Sequence, residues 1–363
     1  MRALDWALTG NHGLRAGWSV LIFVILYRLF SLVLGSIAVT LDPRLATLSY
    51  TATLAILSEL IPFLAVMGSA ALVARMERRK LLDYNLAGRR RARHFIAGLA
   101  TGFAALSVLV GALACGGWLQ FGPVALAGSA IFKYAALWAC AFLLVGCVEE
   151  GIFRCYLQFT LTRGINLWWG LGIVAVLCLD VFLRSRGNVG IVALLWLDPL
   201  PAITGNSYLG VYAVALLGLA GCLALRLKRP QGAGFWQAAW VTSTLFGFIH
   251  IGNGGENWIG IFAAAAIGFV FCVSIRVTGS AWWAIGCHAA WDWAETYFYG
   301  TADSGLQARG HYLTATPSGA TLWSGGADGP EGSLLVLGAI LLMLVPLIAL
   351  RERHPALPVS ENL

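Results

Sequence analysis

About ten runs of apolar residues, most of them long enough to cross a bilayer, decide what this chain can fold into. They read Trp18 to Thr40, Tyr50 to Ala74, Phe95 to Leu119, Ile131 to Leu161, Leu167 to Leu183, Gly210 to Leu227, Phe235 to Ile251, Trp258 to Val277, Ala281 to Tyr299 and Ser333 to Leu350. Lipid offers a backbone no hydrogen bonds, so segments of this kind cross it as helices. The expected fold is all-α, a polytopic transmembrane helical bundle of about 8 to 10 spans around a central intramembrane polar cavity. A content of 59% hydrophobic against 11% charged residues excludes a water-soluble domain of this length. Trp18 to Thr40 is too long for the apolar part of a cleaved signal and counts as a retained first span. Gly98 and Gly102, with three residues between them, show how the 43 glycines suit close helix approach.

Charge is confined mainly to the connections. Arg75, Arg78, Arg79, Lys80, Arg89, Arg90, Arg91 and Arg93 form the densest basic run, with Glu77 and Asp83 as its acids. The positive-inside rule makes that loop cytoplasmic and, by parity, puts both termini inside. Lys228, Arg229, Arg276, Arg351 and Arg353 mark further cytoplasmic ends, whereas Gly300 to Gly332 is a long polar loop assigned to the outside. Residues 184–207, with Pro199 and Pro201, read as a partly apolar loop or a re-entrant piece. The net charge of +7 therefore reflects topology and anionic lipid, and implies no nucleic-acid partner. The eight cysteines lie in apolar runs without metal-ligand spacing and read as small hydrophobes.

Three of the apolar runs also carry ionisable groups, which at bilayer depth cost roughly 2.5 to 3.5 kcal/mol each and so point to function. The first is Glu149-Glu150-Gly151-Ile152-Phe153-Arg154. On a helix Glu150 and Arg154 share a face and pair, while Glu149 points about a quarter turn away. The second is Phe246-Gly247-Phe248-Ile249-His250, and the third His288-Ala289-Ala290-Trp291-Asp292, whose ends again share a face. Of the six histidines, His12, His94, His311 and His354 fall in termini or loops, which leaves His250 and His288 in the membrane. A base, two imidazoles and a cation are what hydrolysis of an amide bond needs. Glu295, seven residues after His288, falls on the same face and is expected to line the cavity with Phe246. Arg28 with Glu59, and Asp180 with Arg184, read as structural pairs.

The ordered triple EExxxR, FxxxH and HxxxD resembles the CPBP or ABI group of intramembrane proteases. That group includes the CAAX prenyl endopeptidases and bacteriocin-processing or self-immunity proteins. The resemblance covers roughly Phe142 to Tyr299. It implies that Glu149 activates a water held also by His250, and that Glu150 pairs with Arg154. His288 would then stabilise the oxyanion, oriented by Asp292 through its other ring nitrogen. A metal version would use Glu149, His250, His288 and Asp292 on zinc, but the sequence lacks H-E-x-x-H, and a metal-free glutamate mechanism with no required cofactor is favoured. The implied organisation is N-terminal spans with the basic loop over 1–125, a protease-like catalytic core over 126–300, an extramembrane loop over 301–332, and a last span with its tail over 333–363. The implied partners are the bilayer and a membrane-anchored peptide or protein substrate, in a bacterial cytoplasmic membrane. The rival reading is a non-enzymatic membrane protein, either a proton-coupled transporter or an inactive protease-like scaffold or immunity protein. The inverted repeats of a transporter are not found.

Overall fold

A computed structural model describes residues 9–10, 13–46, 51–187, 206–228 and 233–351. The re-entrant reading of 184–207 falls almost wholly outside the described residues, as do the tail after Arg351 and most of the segment before Gly13.

Each of the apolar runs is helical. They form α1 (Ala16–Leu41), α2 (Ala52–Met76), α3 (Arg91–Cys115), α4 (Ser129–Glu150), α5 (Gln158–Thr162), α6 (Leu167–Ser185), α7 (Tyr208–Lys228), α8 (Ala233–His250), α9 (Trp258–Thr278) and α10 (Trp282–Asp292). Beyond a one-turn helix at Thr321–Ser324, the last run forms α11 (Val336–Leu342) and α12 (Leu344–Ala349), interrupted only at Met343. Among the described residues, the continuous helix Ser129–Thr162 together with α1, α2, α3, α6 and α9 makes six that are long and apolar enough to cross a membrane. The protein is thus an integral membrane helical bundle. The helices bearing His250 and His288 are not among the six, because α8 carries Gln237, Thr242, Ser243, Thr244 and His250, and α10 stops being α-helical at Asp292.

Two π-helical turns interrupt the regular helices, Gly151–Leu157 after α4 and Trp293–Tyr299 after α10. Each follows immediately on a carboxylate of the motifs, and such widened turns favour functional sites because they re-aim the side chains beside them.

Glycine sets the contact between α3 and α10. A side chain at Gly98 would collide with the Trp283 carbonyl and one at Gly102 with that of Cys287, while Gly286 lies as closely against Phe95. In lipid, helices associate by packing rather than by hydrophobic transfer, so backbone-to-backbone approach of this kind supplies the attraction. Leu106, Leu109 and Leu113 of α3 continue the seam, meeting Phe271 of α9 and Trp283 of α10 in the largest core cluster. At the periphery α1 leaves most of its surface to lipid: only 6% of its apolar window is buried, against 67% for α9.

The loop 300–332 is folded rather than loose. Strand β1 (Leu119–Phe121) pairs antiparallel with β2 (Ala315–Pro317). Asn257 caps α9 through the amides of Ile259 and Gly260, and its Nδ2 donates to the Gly332 carbonyl at 3.1 Å. One side chain thereby closes a helix terminus and anchors the loop to it.

Candidate active site

Side chains from three distant segments meet around Phe246. Glu149 and Glu150 end α4, Phe246 and His250 occupy the last turns of α8, and His288 and Asp292 share a face of α10. His288 is the hub. Its Nδ1 lies 2.9 Å from Glu150 Oε1, and its Nε2 lies 3.5 Å from Asp292 Oδ2 and 3.7 Å from Glu149 Oε2. A ring carrying both protons would find an acceptor on each nitrogen.

Glu150 also ion-pairs with Arg154, at 3.2 Å from Oε2 to Nε, as their spacing predicted. One buried carboxylate therefore bridges a guanidinium and an imidazole. Arg154 is fully buried; its guanidinium lies 4.2 Å over the Phe246 ring and 5.4 Å from that of Phe271. Desolvated cation–π contacts of this kind contribute about 2 kcal/mol. A side chain at Gly268 would meet Arg154 Nη2, so the guanidinium would have to move to admit one. The Arg154 carbonyl accepts from Asn85 Nδ2 at 2.7 Å, which pins the π turn to the basic loop.

His250 donates from Nδ1 to the Phe246 carbonyl at 2.8 Å, a bond that leaves its Nε2 with a free lone pair. The Phe246 ring stands between the imidazoles, 4.7 Å from His250 and edge-on to His288 at 6.1 Å. The neighbouring glutamates have opposite surroundings. The Glu149 side chain is 29% exposed and that of Glu150 is 0%, because successive helix positions point about 100° apart. Glu149 is the carboxylate that water can reach. Its Oε2 is the inward oxygen, buried and without a hydrogen-bond partner, 3.7 Å from His288 Nε2. Glu59 of α2 and Tyr27 of α1 lie within electrostatic range of it.

Some expected placements differ. The position on His288 Nδ1 belongs to Glu150, and Asp292 faces Nε2 beside Glu149. Glu295 is fully buried and groups with Asp303 and Glu331 of the loop, where a place in the cavity with Phe246 was expected. His94 is not a loop residue but sits buried in the first turn of α3. Within the quartet considered for zinc, His288 Nε2 lies 3.5 Å from Asp292 Oδ2 and 3.7 Å from Glu149 Oε2. Among the described residues only Glu295, Asp303 and Glu331 bring three candidate donor atoms within 4.8 Å of one another. A cavity of about 100 Å³ lies under the loop, between Leu119, Thr301 and Pro330, apart from the histidines. Asp303 and Glu331 gave no signal in the sequence, because acids in a polar loop read as solvated. Asp180 and Arg184 do pair, at 3.8 Å.

Residues 131–294 match the family model of the Rce1-like type II CAAX prenyl endopeptidases. The matched stretch contains every motif position from Glu149 to Asp292. No curated protein and no solved structure matches the chain.

Proposed function

With an Rce1-like core over residues 131–294 as the premise, we propose that this integral membrane protein is an endopeptidase that cuts a membrane-anchored peptide or protein beside its anchor. The observation that carries the reading is the contact of His288 with carboxylates from two separate parts of the fold, next to a solvent-reachable Glu149. Glu149 accepts a proton from a water that His250 Nε2 also holds, and the hydroxide formed attacks the peptide carbonyl. The tetrahedral oxyanion takes a hydrogen bond from His288 Nε2–H, whose ring is fixed by the Nδ1–H bond to Glu150. Protonated Glu149 then gives its proton to the departing amide nitrogen, which restores the carboxylate. Arg154 keeps Glu150 ionised and in place and is a positioning residue. Asp292 holds the Nε2 side of His288 until substrate arrives.

This route uses the chain's own acid and imidazole groups and requires no metal. The basic run at 75–93 supports an orientation with that loop in the cytoplasm and both termini inside, as in a bacterial cytoplasmic membrane. Peptide maturation or destruction fits this architecture without a separate prenylation pathway.

Purified protein in detergent tests the reading. The wild type should release one defined product from an anchored peptide, and His250→Ala should lower turnover by about 10²-fold or more while keeping its melting temperature. Cleavage that survives in His250→Ala would remove the assignment. A strong chelator should leave turnover intact when calcium is present in excess; loss that only added zinc restores would replace the glutamate route with a metal one.

A further inference from the structure

Beyond the groups used above, the fold gathers an acidic cluster, one member fully buried and two half-buried, at the junction between the loop 300–332 and the helix that carries His288 and Asp292. Glu295 faces Asp303 and Glu331, and one carboxylate oxygen of each lies within 4.8 Å of the others. The two loop acids are held by donors. Thr296 Oγ1 donates to Asp303 at 2.8 Å, Trp291 Nε1 to Glu331 at 2.8 Å, and Ser304 Oγ to Glu331 at 3.0 Å. Glu295 has no such support: its side chain is fully buried and neither oxygen has a hydrogen-bond partner. A buried carboxylate left without donors is among the most expensive groups a fold can contain, and this one points at two further acids. Asp328 and Glu256 stand nearby over Gly260, each with another unpartnered buried oxygen. Among the described residues no lysine or arginine pairs with any of the five.

We propose that Glu295, Asp303 and Glu331 bind one divalent cation of the calcium class, which ties the loop to the helix of His288 and Asp292. The donors are all hard oxygens, which suit calcium, magnesium or manganese rather than zinc. Their spread is about twice a calcium–oxygen bond of about 2.4 Å, and a site assembled from a helix end and a loop has the tolerance that calcium uses and magnesium does not. The loop lies at the far end of α3 from the basic run, about 37 Å along a 25-residue helix. With the basic end in the cytoplasm, the cluster faces the compartment in which millimolar calcium sites are filled. None of this depends on the peptidase reading, and the test below involves no turnover.

The full chain in detergent, stripped with EGTA, is titrated with terbium(III) and read by emission sensitised through Trp291, whose indole is bonded to a proposed ligand. Calcium then competes, and melting is followed with and without it. The expected result is saturable emission from one site, displacement by calcium at a concentration about tenfold or more below that of magnesium, and a calcium-dependent rise in melting temperature. Glu295→Gln should weaken binding by about tenfold or more, yet melt in EGTA no earlier than wild type, since it removes a buried like charge. If that variant does not fold, Asp303→Asn carries the same test. Absence of saturable emission, absence of a calcium effect on melting, or unchanged affinity in a folded variant would overturn the proposal and leave acids that hold protons instead.

Discussion

At the residue scale, Glu150 does two jobs with two oxygens. Its bond to Arg154 was legible because the partners are four residues apart on one helix, whereas its bond to His288 joins positions 138 apart and no spacing rule reaches across that distance. The same limit explains why Asp292, the local neighbour of His288, was expected where Glu150 stands. Glu150→Gln should destabilise the protein by about 3 to 5 kcal/mol, because Arg154 is left buried and uncompensated. Adding Arg154→Met to that variant should recover most of the melting temperature without restoring turnover, since His288 Nδ1 still lacks its carboxylate. Equal loss of stability in the single and double variants would show that the pair is not what holds this region together.

At the scale of elements, the spacing of Gly98 and Gly102 announced a close helix approach but not its partner, which is α10. The contact aims His288, because the Cys287 backbone lies against Gly102. Gly102→Val should therefore push α10 outward, lowering turnover by about tenfold or more together with the melting temperature. Gly111→Ala on the same helix faces open space and should change stability by no more than about 1 kcal/mol, in the stabilising direction. Melting curves and cleavage rates for the two variants check this, and equal effects would contradict it. The π turns after Glu150 and Asp292 were not legible. Apolar periodicity tolerates one inserted residue without losing its stripe, so the widening appears only when the chain packs.

At the scale of the molecule, the helical bundle followed from the length and spacing of apolar runs alone, while the folded loop 300–332 did not, being built by contacts with residues 119–121 and 251–260 that polar sequence does not announce. That loop gives stability a pH dependence. Asp303 lies within electrostatic range of Glu295, Glu331, Asp328 and Asp292, and of His288 and Glu149 in the site, and burial raises its carboxyl from the ordinary 3.8 to about 7. The native state thus holds a proton that the unfolded chain has released between those values, so this contribution is complete below pH of about 4 and is lost as pH rises through about 7. Melting in EGTA should fall over that range, and Asp303→Asn should flatten the curve; a melting temperature that climbs instead would reverse the sign of the argument. The family match spans residues 131–294 and the motif positions fall within it, so the central claim is that their side chains form one hydrolytic site. The measurement that tests it most directly is the single-turnover cleavage rate of Glu149→Gln beside wild type on an anchored peptide, with both proteins melting alike. A loss of about 10²-fold or more is predicted; cleavage at the wild-type rate by the folded variant would contradict the account.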